Sequence, residues 1–395
     1  MVELLAPAGD FERLKFAFLY GADAAYFGGK DFSLRANAKN FSKEEIKEAT
    51  EYAHSLGKKV YVTVNIVFHD EDIPGIDDYL KYLDSINIDG IIASDILVIK
   101  RVKELGLNIH ISLSTQASAL NPKTIKFWQN LGVKRVVLAR EASREDMKSI
   151  KDMGIEVETF IHGAMCTSFS GKCVLSNYMT IRDSNRGGCA QVCRWNFLVD
   201  GNPDLTITPK DLNMIPFIKE EIDLGVDSFK IEGRMRSIYY VSTVIWCYRK
   251  MIDETLNNTL TKSMENYYLA ILNRCANRES TPQFFHKLPG IDEQYFNGRE
   301  EISNQDFLGL VIDYDKEAKE IVLEVRNYFK KGDIVEIFGP NMETFEFKIN
   351  NIYNDNHELI EVCNHPKDIV KIPWDTEIIP YSMMRIKMID KKDFL

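Results

Sequence analysis

The sequence predicts an α/β protein: a (β/α)8, TIM-like barrel with a long cysteine-containing insertion after its seventh strand, followed by a small C-terminal β-barrel domain. Three observations carry this prediction. Short apolar, β-rich runs alternate with amphipathic helical stretches through the first part of the chain. The runs count to eight, and from about Phe307 the pattern changes to short strands broken by turn residues. Strands alternating with single helices imply parallel βαβ units, and eight such units suit a closed barrel of about 250 residues. A doubly wound open sheet is the rival arrangement for the same pattern.

The eight runs are VELLAP (2–7), AAYFGG (24–29), KVYVTVN (59–65), GIIAS (90–94), IHISLST (109–115), RVVLAR (135–140), VETFIHG (157–163) and SFKIEGR (228–234). DFERLKFAFLYG follows the first, SKEEIKEATEYAHSLG the second and IDDYLKYLDSI the third, each with the apolar spacing of a helix that buries one face. Between strands seven and eight the connection is far longer than the few residues usual in such folds. It ends in a last helical stretch, DLNMIPFIKEEIDLG. The expected division is a barrel over 1–256 with a cysteine loop at 163–227, a helical linker over 257–304, and a β-barrel domain over 305–395. In that last part Tyr314 to Lys316 and Gly339-Pro340 mark turns.

Composition narrows the function classes. The chain has 395 residues, 45% hydrophobic and 27% charged, and a net charge of −10, which argues against a general nucleic-acid coat but leaves room for a local basic cleft. No run approaches 18 apolar residues, and the first residues lack a basic segment followed by a long apolar one. The expectation is a cytoplasmic protein with no membrane association. There, structural disulfides are rare and clustered cysteines bind metal or do redox work.

In a barrel the chemistry sits where the strands end. Those ends carry Gly9 and Asp10, Gly28 and Gly29, Asn65, Ser94 and Asp95, Ser114 to Gln116, Arg140 and Glu141, His162, and Glu232 with Arg234. Any one of them can simply start a loop or cap a helix, as Asp10 and Ser42 do well; the set points to a site.

The insertion holds four of the seven cysteines, Cys166, Cys173, Cys189 and Cys193, spaced C-x6-C-x15-C-x3-C. Structural zinc sites favour paired C-x2–4-C knuckles, and only the last gap comes near that. Four thiolates also suit a [4Fe–4S] cluster, which separated loops can grip. From spacing alone both remain open. Cys247, Cys275 and Cys363 read as core residues. Two segments are basic within an acidic protein: from Ile181 to Asn196, Arg182, Arg186 and Arg194 face only Asp183, and from Ser228 to Lys250, Lys230, Arg234, Arg236, Arg249 and Lys250 face Glu232; converging on a barrel mouth they make a pocket for an anionic substrate. Tyr178, Trp195, Tyr239 and Tyr240 lie near them in sequence and can either stack bases or pack.

ETFIHGAMCTSFSGKCVLS (158–176) resembles the signature of the unassigned (U) peptidase family 32, the collagenase-like peptidases: E-x-F-x2-G-[SA]-[LIVM]-C-x4-G-x-C-x-[LIVM]-S. The resemblance extends through ELLAPAGD, RGGCAQVCRW, KIEGRMRS and GDIVEIFGP, and so covers nearly the whole chain. Within that family the two-domain form is similar to the tRNA hydroxylation proteins that act on the wobble uridine. The resemblance implies oxygen-independent hydroxylation, a [4Fe–4S] cluster on Cys166, Cys173, Cys189 and Cys193, and prephenate as oxygen source. It further implies tRNA as partner and, since some relatives work in pairs, a related second subunit.

On that reading Arg182, Arg186 and Arg234 hold carboxylates or tRNA phosphates, Asn65 and Gln116 read the uracil edge, and His162 and Glu232 transfer protons. The alternative is a collagenase-like peptidase. Against it, His162 stands four residues before Cys166 with no third partner indicated, and no His-Glu-x-x-His occurs.

Overall fold

The computed structural model describes residues 2–34, 39–276, 278–297, 306–387 and 389. The eight apolar runs become strands β1 (Glu3–Pro7), β2 (Ala24–Gly28), β3 (Lys59–Val64), β4 (Gly90–Ala93), β5 (His110–Leu113), β6 (Arg135–Val137), β7 (Glu156–Gly163) and β8 (Ser228–Ile231). Each pairs in parallel with the next, and β8 pairs with both β7 and β1. That last pairing closes the barrel and excludes the open sheet. The strands read as apolar because both faces are covered: every residue of β2 and β4 is buried.

Helices α1 (Phe11–Leu19), α2 (Lys43–Ser55), α3 (Ile76–Ser85), α4 (Ile96–Glu104), α5 (Pro122–Asn130) and α6 (Arg144–Lys151) fill the connections after β1 to β6. Several strand-end polar residues serve them. Ser42 with Glu45 and Ser143 with Asp146 form capping boxes, and Asp95 and Asn121 cap α4 and α5. Asp10 accepts from the Arg13 amide at 3.0 Å. Asp10 and Asp95 are therefore accounted for as helix starts.

Inside the barrel, Leu5, Ala24, Tyr26, Tyr61, Ile92 and Val137 pack with Phe160. Below them lies an ionic network centred on buried Arg135, with Glu158 buried and Glu156 reaching solvent. Arg135 reaches Glu3 at 2.6 Å, Glu156 at 2.9 Å and Glu158 at 3.3 Å, while the Tyr61 hydroxyl and Ser228 donate to Glu3 at 3.0 and 2.9 Å. Charges taken this far from water persist only when paired and hydrogen-bonded.

The connection after β7 carries α7 (Leu175–Thr180) and α8 (Ile218–Asp223). Residues Asp211–Asn213 return antiparallel to the end of β7, and Asn202–Pro209 pairs with Phe197–Val199 and Gln294–Asn297. The stretch expected to be helical linker therefore corrects in part: Ser280–Thr281 and Gln294–Asn297 are strands that join the insertion. Such short strands have no periodicity of their own and exist through their partners. The expected boundary at 304/305 lies outside the described residues.

The chain divides into two compact units, 1–18 with 22–236 and 278–300, and 19–21 with 237–277 and 301–395. Helices α9 (Ile238–Leu256) and α10 (Lys262–Cys275) thus group with the C-terminal residues, although the first was expected in the barrel. In this second unit β9 (Phe307–Asp315), β10 (Glu320–Val325), β11 (Ile334–Phe338), β12 (Phe345–Lys348), β13 (Ile352–Tyr353), β14 (Leu359–Ile360), β15 (Ile369–Pro373) and β16 (Met383–Ile386) form an antiparallel sheet in the order β12-β11-β16-β9-β10-β15-β13-β14. Its core includes Val311, Ile321, Leu323, Val335, Ile337 and Ile372.

Cys247, Cys275 and Cys363 are buried. Tyr239 and Tyr240 are buried as well, Tyr239 stacked on Phe307 at 5.0 Å, so neither offers a face to a base. No helix among the described residues is long and apolar enough to cross a membrane.

Candidate functional site

A cavity of about 60 Å³ opens at the C-terminal ends of the barrel strands, where a barrel of this kind builds its chemistry. Alternation along β8 and beyond sends Lys230, Glu232 and Arg234 into it. Lys230 is 3% exposed; its Nζ lies 2.7 Å from Glu158 Oε1 and 4.3 Å over the Tyr26 ring. Burial pulls the ammonium below its ordinary pKa, against the pull of the Glu158 charge.

Arg140, beyond β6, lines the cavity with them. Its guanidinium sits 4.2 Å over Phe160, reaches Glu232 Oε2 at 3.3 Å and donates to the Ala164 carbonyl. Arg234 donates to Asn40 Oδ1 at 2.7 Å and to Ser33 Oγ at 3.4 Å. Asn65 Oδ1 accepts from the Leu34 amide at 3.2 Å while its Nδ2 donates to Ser114 Oγ at 3.4 Å, and Gln116 completes this side of the wall. Among the described residues the cavity thus combines three cations, one carboxylate and two side-chain amides.

The cysteine loop is pinned to the loops around this mouth. Ser170 donates from its amide to Glu141 at 3.0 Å, the Val67 amide donates to the Asn185 carbonyl at 3.3 Å, and Arg186 pairs with Asp72. Gly171 packs directly on the Gln116 backbone, where a side chain would strike the carbonyl. Cys166 and Cys189 are exposed, Cys173 and Cys193 half-buried. Burial pushes the Cys193 thiol up, Arg194 beside it pulls it down, and charge on Cys166, Cys189 and Cys173 pushes it up again. The four thiols therefore share one electrostatic neighbourhood.

Among the described residues no group of three or more His, Cys, Asp or Glu is placed to hold a single metal ion. A zinc ion draws its thiolates to about 2.3 Å from one centre, whereas a cluster takes them on separate irons. In kind, four thiols are donors that a cluster takes, as they are for zinc.

Of the residues expected at the site, Asn65, Gln116, Glu232 and Arg234 line the cavity together. His162 does not. The pairing of β7 with β8 slips by one residue there, Phe160 facing Lys230 and His162 facing Ile231. The extra residue, Ile161, turns His162 away from the inner face that alternation assigns to it. It is 2% exposed, and burial, helped by the Arg236 charge, holds its imidazole neutral, with a pKa near 3. Proton exchange with a substrate in the cavity is not available to it.

Arg186 is committed to Asp72 at the rim, and Arg182 is exposed outside the cavity. Two further lining residues, Arg140 and Lys230, were read from the sequence only as part of the strand-end set and of a basic segment, with no individual role. The signal for Lys230 was present, since a lysine inside a strand buried on both faces must have an anionic partner.

Residues 9–295 match the model of peptidase family U32, and residues 303–385 that of the family's C-terminal domain. The chain is 45% identical to a tRNA hydroxylation protein of Bacillus subtilis, over 97% of this chain and 94% of that one. It is 31% identical to a tRNA hydroxylation protein of Escherichia coli, over 97% of this chain and 96% of the other. It is also 37% identical to a collagenase of Porphyromonas gingivalis, over 65% of this chain and 67% of that protein. With both family models matched in order and full-length relatives at this identity, the chain belongs to peptidase family U32.

Proposed function

We propose that this protein is a cytoplasmic, oxygen-independent tRNA hydroxylase that forms 5-hydroxyuridine at the wobble position, with a [4Fe–4S] cluster on Cys166, Cys173, Cys189 and Cys193 and prephenate as the oxygen-donating cosubstrate. The observation that carries this reading is the composition of the mouth cavity, which among the described residues gathers the amides of Asn65 and Gln116 with the cations Arg140, Lys230 and Arg234 and the carboxylate Glu232. Its likeness to tRNA hydroxylation proteins over nearly the full chain supports the same assignment.

A side-chain amide offers both a donor and an acceptor, which suits the alternating carbonyl and N–H edge of uracil. Cations with aromatic backing suit a carboxylate-bearing cosubstrate: Arg140 lies on Phe160 and Lys230 on Tyr26, so each is held in place before a ligand arrives. Glu232 is the carboxylate within reach of such a ligand, and we assign it the proton transfer. A bound cluster supplies one-electron chemistry at the mouth.

A peptidase is not favoured by any feature of the cavity. No histidine or cysteine lines it, and His162 is buried away from it.

Two measurements test the reading. Protein purified without oxygen is expected to be brown with about four irons per chain; colourless protein holding zinc refutes the cluster. Nucleosides of tRNA from a deletion strain are expected to lack 5-hydroxyuridine and its derivatives. Unchanged tRNA, with gelatin cleaved by the pure protein, refutes the hydroxylase.

A further inference from the structure

Beyond the cavity, the cysteine loop ends in a surface that none of the chemistry above uses. Helix α7 stops at Ile181, whose backbone is left-handed at φ 57° and whose amide donates to the Asn177 carbonyl at 3.2 Å. A β-branched residue in that region is a conformational outlier, and strain of this kind gathers at functional sites. Ile181 is nevertheless 97% exposed, so its side chain gains almost nothing from the rest of the chain.

The neighbours share this exposure. Tyr178 is 84% and Phe169 64% exposed, and Met179 is exposed beside them. The turn holding Phe169 and Lys172 is tied to the tip through Asn185, whose Nδ2 donates to the Cys173 carbonyl at 3.1 Å, and the Ser184 amide donates to Asn177 Oδ1 at 3.1 Å.

Charge separates the possible occupants. From Cys166 to Leu198 the chain carries Lys172, Arg182, Arg186 and Arg194 against one acidic residue, Asp183. Arg186 is turned to Asp72, Arg194 to the Pro209 and Met165 carbonyls, and Asp183 Oδ1 to the Asn185 amide at 2.9 Å. Exposed Lys172 and Arg182 remain among exposed rings. Aromatic faces interleaved with cations, on a segment (166–198) with one acidic residue in an acidic protein, fit unpaired nucleotides: rings stack on bases and cations meet phosphates. A protein partner's interface core is depleted of lysine although it takes aromatics and arginine, so exposed Lys172 beside the rings is what favours phosphate over a protein surface.

We propose that the tip formed by Phe169, Lys172, Tyr178, Ile181 and Arg182 is a stacking platform for unpaired RNA nucleotides that flank the base entering the barrel mouth. The proposal rests on the RNA-modifying reading and assigns it a second contact surface outside the catalytic cavity.

The test uses the iron-loaded full chain and a fluorescent anticodon hairpin, with Kd read by anisotropy across a salt series. Tyr178→Ala is expected to weaken binding about fivefold or more, and Tyr178→Phe, which keeps the ring, to restore it. Lys172→Gln and Arg182→Gln are each expected to lower the slope of log Kd against log salt by about 0.7. Iron content and melting temperature are expected to match wild type in all four, because the side chains changed are exposed.

Hairpin affinity and slope unchanged in every variant overturn the platform, as does loss of a co-purifying protein without any loss of RNA affinity. If wild type hydroxylates tRNA and the variants do so with unchanged Kd, the platform alone fails. If wild type neither binds the hairpin nor modifies tRNA, the hydroxylase reading fails with it.

Discussion

Gly171→Ala probes how the cysteine loop is held across the mouth. Gly171 has φ +72°, and a Cβ built on it lies 2.2 Å from the Gln116 carbonyl oxygen and 2.9 Å from that residue's carbonyl carbon and Cα. Ordinary contact begins near 3.4 Å, so the loop must move by about 1.2 Å. Gln116 cannot yield easily. It sits in the turn Thr115–Ala117, whose start is capped by Ser114.

An alanine forced into the left-handed region costs about 1–2 kcal/mol, and overpacking against fixed backbone adds about 1–3 kcal/mol. Gly57→Ala separates the two contributions, because Gly57 has φ +65° and nothing within 4 Å of the built Cβ. Both variants are expected to lose the conformational part, and Gly171→Ala alone the rest.

Urea midpoints measure the global loss, and the rate at which a thiol reagent labels Cys166 and Cys173 in metal-free protein measures local lifting of the loop. The expected result is a lower midpoint, faster labelling, or both in Gly171→Ala relative to Gly57→Ala. Equal midpoints and equal labelling rates refute backbone packing as the clamp.

Two buried titratable groups give opposite pH signatures. His162 has its folded pKa depressed to about 3 from about 6.5, so its contribution to stability is complete above pH 6.5 and is lost as pH falls towards 3. Between pH 6.5 and 5 wild type is expected to lose about 2 kcal/mol relative to His162→Gln, at about 1.4 kcal/mol per unit; parallel melting curves would reject the burial argument. Glu221 is raised to about 8 by burial, against the Thr159 hydroxyl that donates to it at 2.6 Å. Its contribution is complete below about 4.5 and is lost as pH rises through 8. Glu221→Gln, which keeps an acceptor for Thr159, is expected to be more stable than wild type at pH 8 but not at pH 4.5, by the same melts. Arg135→Met leaves Glu3 and Glu158 without their shared cation, and unfolding in urea is expected to show a loss of about 3–5 kcal/mol; adding Glu3→Gln is expected to recover part of it.

The barrel was legible because its signal is local. Each strand is apolar through its middle and several helices carry their own start, so Ser42, Asp95 and Asn121 mark α2, α4 and α5 before any tertiary contact forms. The half of the site that lies on the strands was equally legible: Asn65, Gln116, Glu232 and Arg234 follow from strand ends and alternation. What failed depends on partners distant in sequence. Arg186 finds Asp72 across 114 residues, which no charge count reveals. His162 was misplaced by a single bulge residue, visible only once β8 lies beside β7. Strand Gln294–Asn297 exists because Asn202–Pro209 is there to receive it.

The same bulge separates the two chemistries the family's names suggest. With Phe160 facing Lys230 and His162 turned outward, the inner face of β7 gives the cavity an aromatic ring rather than an imidazole. A nucleophile at the mouth would then have no imidazole to take its proton, the base that thiol and hydroxyl peptidases most often use. What the inner face does provide is an alternation of charge, with Glu158 under Lys230 and Glu232 against Arg140. The cations are half-compensated and backed by Phe160 and Tyr26, so an incoming carboxylate meets fixed donors without leaving an uncompensated buried charge when it departs. On the proposed reading that arrangement takes up and releases a small anion beside the target base, and the strand register that shaped the inner face is the one that turned the histidine from it.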